Sequence, residues 1–216
     1  MKMKLSFVIT LKNQINMKYN DGVTVHTLHL FENNLKSLCS IIKPDDEWEF
    51  VVVDFGSTDA NVEEFLKSSL IHPNMTYKLI ILNEPFSRGK GLNVGIDNAT
   101  HDIVFCYDTD MVINTYKLFD DIQSYVVNEG KALFPISWSY HDITHTTGWK
   151  RETGLGMVIY NRNIVTKYIE KQTWGREDDI NYKYFCDKGV AIRTYYEQQY
   201  YHQWHPINRI GDVYID

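Results

Sequence analysis

Ile103-Val104-Phe105-Cys106-Tyr107-Asp108-Thr109-Asp110 is a short, unbroken apolar run that ends on two carboxylates one residue apart. A run of that length without polar alternation fits a strand covered on both faces, as in a parallel sheet. Toward the N-terminus, residues 78–82, 49–54 and 5–10 repeat the pattern. Between the first two strands in the chain, Leu28, Phe31, Leu35, Leu38 and Ile42 recur every three or four residues, the spacing of a helix with one apolar face. Further helices are expected over 61–69, with Asp59 as its cap, over 91–99 and over 115–128. Strands alternating with helices define an α/β fold with a mostly parallel sheet. Toward the C-terminus the regularity fades. Residues 132–138 and 157–160 read as strands, 148–156 as a loop, and 163–170 and 179–186 as helices.

With 216 residues, 44% of them apolar, the chain is long enough for one sizeable core and is read as a single domain. Its formal charge of -6, with no run of Lys or Arg, argues against nucleic acid or an anionic membrane as the main partner. Cys39, Cys106 and Cys186 are far apart and form no C-x-x-C pair, so reduced thiols in a cytoplasmic protein are expected. The apolar stretch at 5–10 is too short for a signal peptide or a membrane span.

In open α/β sheets ligands bind beyond the carboxyl ends of the strands, which is where the chemistry should lie. Asp108 and Asp110 point the same way off an extended chain and suit Mn²⁺ or Mg²⁺ shared with diphosphate oxygens. An acidic turn after a buried strand would look the same, but the position at a strand end favours the metal. Asp54, before the Gly56 turn, offers an acceptor for a nucleobase or ribose; plain turn-and-cap chemistry is the other reading, and the two can both hold. The segment Phe86-Ser87-Arg88-Gly89-Lys90-Gly91 brings Arg88 and backbone N–H groups to the same rim. Its glycines narrowly miss the dinucleotide fingerprint, which belongs after the first strand, so a nicotinamide oxidoreductase is a weak alternative. Late in the chain, Trp174 offers a stacking face for a sugar, followed by Glu177-Asp178-Asp179 as a source of a general base; a solvated helix start is the plainer reading. His202 and His205 supply imidazoles suited to completing a Mn²⁺ site.

Taken in order, VVVDFGSTD (51–59), FSRGKGLNVGI (86–96), FCYDTDMV (105–112), ALFPISWSY (132–140), GLGMVIY (154–160), WGREDD (174–179) and HQWH (202–205) resemble the chondroitin N-acetylgalactosaminyltransferase and β1,4-galactosyltransferase group of GT-A glycosyltransferases. The resemblance spans about 8–206 and implies a nucleotide-binding half over residues 1–112 and an acceptor-binding half with a metal-binding tail over 113–216. It implies an inverting transfer of a hexose or N-acetylhexosamine, galactose or N-acetylgalactosamine favoured, from a UDP-sugar to a saccharide with β-linkage. By the same resemblance Asp110 and His205 bind the metal, with His202 the less favoured candidate, and Asp108 faces the donor ribose and the metal shell. Thr10, Leu11, Lys12, Asp54, Phe86 and Arg88 hold the nucleotide. Asp178 is the base, while Trp174, Glu177 and Asp179 meet the acceptor, and the sugar pocket includes loops at 138–149. Arg176 stands where the group usually has glycine. The N-terminal anchor and disulfides usual in the group are missing from this sequence, so a bacterial or viral enzyme is expected. The alternative is a domain of the same fold that has lost turnover and serves as a carbohydrate-binding or scaffold module.

Overall fold

The computed structural model describes residues 2–164, 166–171 and 176–206. Strands β1 (Lys4–Leu11), β4 (Glu47–Asp54), β5 (Met75–Ile81) and β6 (Ile103–Cys106) are parallel, in the spatial order β5-β4-β1-β6. β1 lies between β4 and β6 and is buried on both faces, which is why it reads as a continuous apolar run. Helix α1 (Leu30–Ile41) covers one face with Phe31, Leu35 and Leu38, and α2 (Val62–Ser69) adds Val62 and Leu66. Helix α3 (Arg88–Asn98) covers the other face with Leu92 and Ile96. The glycines of α3 bring it close to its neighbours. A Cβ at Gly91 would run into the Thr10 side chain, one at Gly95 into Val8, and one at Gly89 into the Ile169 carbonyl. The near miss to a dinucleotide fingerprint is thus a packing stripe.

Between β1 and α1 a hairpin of β2 (Met17–Asn20) and β3 (Val25–Leu28) stands apart from the main sheet. Beyond β6 come β7 (Met111–Ile113), α4 (Lys117–Asp121) with a π-helical continuation (Ile122–Asn128), and the long β8 (Ala132–Tyr140). The sheet then adds β9 (Gly148–Arg151), β10 (Val158–Asn161), β11 (Ala191–Tyr195) and β12 (Tyr200–His202), and α5 (Glu177–Asp187) packs over β8 and β10 through Phe185. The architecture is the α/β GT-A fold: a mixed, mostly parallel sheet with helices on its faces.

Several expectations are corrected here. Asp59 is not a helix cap: its carboxylate accepts from the N–H groups of Ile15 and Asn16, and Asn61 caps α2 by accepting from Glu64. Residues 148–151 form β9 rather than a loop. The described part of 163–170 is not helical, because the Asn93 side chain takes both the N–H and the C=O of Tyr168 and leaves neither for a helical ladder. The described chain after Thr194 is packed into the fold. Tyr196 and Tyr200 are buried in the core and Gln203 is 2% exposed, so aromatic rather than aliphatic material pins it.

At the opposite end of the sheet from the strand tips, Glu49 is buried and accepts from Ser6 Oγ at 2.7 Å, Thr100 N at 2.8 Å and Thr100 Oγ1 at 2.6 Å, with Lys78 Nζ at 3.0 Å. Burial works against its charge, but these bonds outweigh it and hold the carboxyl down to about 2. A depressed carboxylate stabilises the fold above its unfolded pKa, and that stability is lost as pH falls through the folded value. Glu49→Gln is therefore expected to destabilise by about 1–3 kcal/mol at neutral pH. The gap from wild type should close between about pH 4.5 and 2, as read by urea denaturation across that range. An equal gap at all pH values would show that the loss is steric.

Candidate active site

The site forms where β1, β4 and β6 end and α3 and α5 begin. Arg88, at the first turn of α3, is its centre. Its Nε and Nη2 donate to Asp108 Oδ1 at 3.2 and 3.1 Å, Nη1 donates to Asp178 Oδ1 at 2.6 Å, and Nη2 also reaches the Gly156 carbonyl at 2.9 Å. The guanidinium side chain is 11% exposed, against 33% and 29% for the two carboxylates, so the pairs face an opening from a buried base. Burial pushes the Asp108 carboxyl up to about 6 against the pull of Arg88, with Asp110 and Asp178 adding to the rise. Gly156 is needed close by, since a Cβ there would lie 3.1 Å from Asp178 Oδ2 and 3.2 Å from Arg88 Nη2.

Asp110 belongs to a second cluster. His202 Nε2 and His205 Nε2 lie 3.3 and 3.2 Å from its Oδ2, and one ligand atom from each of the three residues falls within 4.8 Å of the others. Both histidines meet the acid. Gln203 holds this geometry between them: its N–H donates to the Asp110 carbonyl, its Nε2 to the Leu30 carbonyl, and its Oε1 accepts from Asn33. Trp204 packs edge-on against Tyr19 of the β2–β3 hairpin at 5.0 Å. Burial opposes the charge on Asp110, but His202 and then His205 outweigh it and hold the carboxyl well below the usual range. Burial also opposes a proton on His205, and the bond and charge of Asp110 overcome it and raise its pKa. Asp110 Oδ1 is buried with no hydrogen-bond partner among the described residues. An orphaned carboxylate oxygen beside two imidazoles fits a divalent cation. The N,N,O donor set suits Mn²⁺ better than Mg²⁺, which takes oxygen ligands.

The turn from β6 to β7 is fixed by residues that motif reading passed over: Asn34 donates to the Asp108 carbonyl and Thr109 Oγ1 to Gln14. A buried Asn on the apolar face of α1 was the available signal. Among the residues expected to hold a nucleotide, Thr10 is buried beneath Gly91, and Leu11 has its side chain in the core and its carbonyl bonded to Phe55 N. Lys12 reaches the Gly56 carbonyl at 2.9 Å. Asp54 is 3% exposed and accepts from Ser57 N and Oγ, so turn chemistry engages this carboxylate, and Phe86 packs edge-on against Phe55 at 5.2 Å. Of the acidic trio, Asp178 faces Arg88, Glu177 is buried and its carboxyl is pushed up by that burial, and Asp179 is exposed. Trp174 lies outside the described residues. Arg176 caps α5 with φ +76°, a left-handed conformation in which glycine is at ease and other residues are strained. That accounts for the glycine usual at this position.

The sequence profile of glycosyl transferase family 2 matches residues 23–194. The chain belongs to this family. Chondroitin sulfate N-acetylgalactosaminyltransferase 1 of Mus musculus is 28% identical over 232 residues, covering 94% of this chain and 42% of the relative. Poly-beta-1,6-N-acetyl-D-glucosamine synthase of Staphylococcus epidermidis is 30% identical over 116 residues, covering 52% of this chain and 24% of that protein. The chain thus spans less than half the length of these relatives. Among solved structures, S. aureus TarS 1-349 in complex with UDP-GlcNAc superposes with a TM-score of 0.71 at 19% identity, over 99% of this chain and 62% of that one. Mannosyltransferase PcManGT from Pyrobaculum calidifontis in complex with GDP-Man and Mn²⁺ gives 0.63 at 15% identity, over 88% and 54%. The resemblance to the chondroitin N-acetylgalactosaminyltransferase group holds over nearly the whole chain. No helix among the described residues is long and apolar enough to cross a membrane.

Proposed function

We propose that the chain catalyses metal-dependent, inverting transfer of a hexose or N-acetylhexosamine, N-acetylgalactosamine or galactose favoured, from a UDP-sugar to a saccharide hydroxyl, giving a β-linkage. The observation that carries this reading is Arg88 joining Asp108 to Asp178 beside the Asp110–His202–His205 cluster. In the proposed reaction the acceptor oxygen bonds to the anomeric carbon as the bond to the diphosphate breaks. The acceptor proton passes to Asp178, and the electron pair leaves with UDP. Asp110, His202 and His205 would hold the cation, which when bound supplies positive charge for the leaving diphosphate. Arg88 adds to this charge. A diphosphate at this place competes with Asp178 for the Nη1 of Arg88, so a bound donor frees the carboxylate to act as base.

Lys12 and Phe86 on the rim, with the Asp54 turn behind them, supply the nucleotide side of this reading. The free thiols of Cys39, Cys106 and Cys186 support a cytoplasmic setting. The test is a screen of UDP release from each common UDP-sugar with a mixed glycan acceptor, with and without Mn²⁺. Release should require Mn²⁺ and favour one donor by at least about tenfold, a difference of 1.4 kcal/mol in transition-state binding. UDP binding without turnover for any donor would instead establish a carbohydrate-binding or scaffold module.

A further inference from the structure

Arg151, the last residue of β9, stands between the two clusters of the site. Its side chain lies along Gly154, where a Cβ would come within 3.3 Å of Arg151 Cγ and Cδ and 3.4 Å of its Nε. Two residues further on, Gly156 meets Asp178, Arg88 and Asp108. On the other side the charge of Arg151 acts on His205 and opposes a proton there. The strand register accounts for this placement. His202 pairs with Ser139 and Ser139 with Trp149, so these side chains share one face, and Arg151, two residues after Trp149, returns to it. β9 lies two strand spacings from β12, about 10 Å, so a long side chain on β9 overlooks the metal cluster from across β8.

The neighbouring cations are engaged: Lys150 pairs with Glu152 at 2.7 Å, Lys90 pairs with Glu84, and Arg88 holds Asp108 and Asp178. Arg151 is half-buried, and among the described residues none accepts from its guanidinium. The charges of the site call for such a group. Arg88 answers two carboxylates and brings no surplus, and Asp110 offsets half the charge of a divalent cation held by its cluster. A sugar diphosphate carries two negative charges and gains a third as the sugar departs, so a cation and Arg88 leave it under-compensated. A guanidinium fork matches phosphate oxygens in shape as well as charge. The contact of Gly156 with Asp178 puts the Gly154–Gly156 segment on the sugar side, next to the phosphate that bears the sugar.

We propose that Arg151 binds the sugar-bearing phosphate of the donor and meets the charge of the departing diphosphate together with Arg88. The word donor rests on the glycosyltransferase reading above; the diphosphate site does not. The test is calorimetric titration of inorganic pyrophosphate, UDP and UMP in the presence of Mn²⁺, with Mn²⁺ alone as a fourth titrant. Arg151→Met should lower the affinity for UDP and pyrophosphate by about tenfold or more, while UMP and Mn²⁺ alone stay within about twofold. Arg151→Lys should recover part of the loss, because the charge stays and the fork does not. UDP affinity unchanged in Arg151→Met, an equal loss for UMP, a matching loss of Mn²⁺ affinity, or no binding of UDP or pyrophosphate by wild type would overturn the proposal. Should Arg151→Met fail to fold, Arg151→Lys and Gly154→Val, which displaces the arginine stem, decide it: a several-fold loss for UDP with UMP spared supports the site, and unchanged UDP affinity removes it. Loss of UDP binding in Arg151→Met, when wild type transfers sugar from no donor, would count against the glycosyltransferase reading alone. Transfer by wild type with equal UDP affinity in the variant would count against Arg151 alone.

Discussion

Asp178→Asn is expected to lower kcat by about 10²- to 10⁴-fold, the usual worth of a general base, while UDP affinity with Mn²⁺ stays within about twofold. The amide keeps the shape of the side chain and its carbonyl can still accept from Arg88 Nη1, so the rim should not rearrange. What it cannot do is take the acceptor proton. Because the carboxylate competes with a diphosphate for Arg88, the amide should if anything release the guanidinium more readily and leave donor binding intact or slightly tighter. Single-turnover kinetics with saturating UDP-sugar separates this from a slow product release. Transfer at the wild-type rate would move the base to Glu177, whose buried carboxyl already holds its proton more tightly than usual.

The arrangement of charges gives the prediction its logic. One buried cation holds two carboxylates from different parts of the chain, Asp108 at the end of β6 and Asp178 at the start of α5. Removing Arg88 would leave both uncompensated, and the neighbouring Asp110 would add to the repulsion. Arg88 thus organises the site, and in the proposed reaction it is also the group that meets the diphosphate. A variant at this position would confuse stability with catalysis, which is why the cleaner tests lie at Asp178 and Asp110.

How much of this could be read from sequence depended on how local the cause was. The strands β1, β4 and β6 were legible because each is covered on both faces and so carries a run of apolar residues, and Asp108 and Asp110 followed directly from the end of β6. The pairing of β7, β9 and β12 was not legible. These strands have three or four residues each, and they exist because β8 offers β9 and β12 a partner and β12 offers one to β7, with both pairings of β12 joining residues far apart in sequence. The missed hairpin of β2 and β3 has strands of four residues each and one buried residue, Leu28, too short for the Met17–Tyr19 alternation to stand out. The expected helix over 163–170 failed for a different reason. Its apolar spacing was suitable, but a single buried Asn93 captured the backbone of Tyr168 instead. At the site, residue types that bear charge were found by motif, whereas of the neutral residues that orient them Gln203 and Gln14 carry no pattern of their own, and Asn34 shows only as a polar residue on the apolar face of α1.

Asp110→Ala is expected to abolish Mn²⁺-dependent UDP binding, a loss of more than about 100-fold, since even residues that merely support a metal ligand are worth 10- to 100-fold. The fold should survive. Asp110 contributes its backbone carbonyl to Gln203, which alanine retains; its Oδ1 makes no bond that the mutation would break, and its Oδ2 meets the two histidines of the cluster itself. His202→Ala and His205→Ala should each weaken the ion less, because the negatively charged ligand Asp110 and one imidazole remain. The pH dependence follows from the same contacts. Asp110 raises the pKa of His205, and an imidazole must lose its proton to bind a metal, so Mn²⁺ affinity in wild type should fall as pH drops through the range where His205 charges. In Asp110→Ala that upward pull disappears, and any residual Mn²⁺ binding should lose its proton dependence at a lower pH than in wild type. Calorimetric titration of Mn²⁺ and UDP at several pH values reads both effects. Unchanged affinity in Asp110→Ala would remove the metal assignment from this cluster, and because Arg88 and Asp178 are untouched by the substitution, it would do so without disturbing the test of the base.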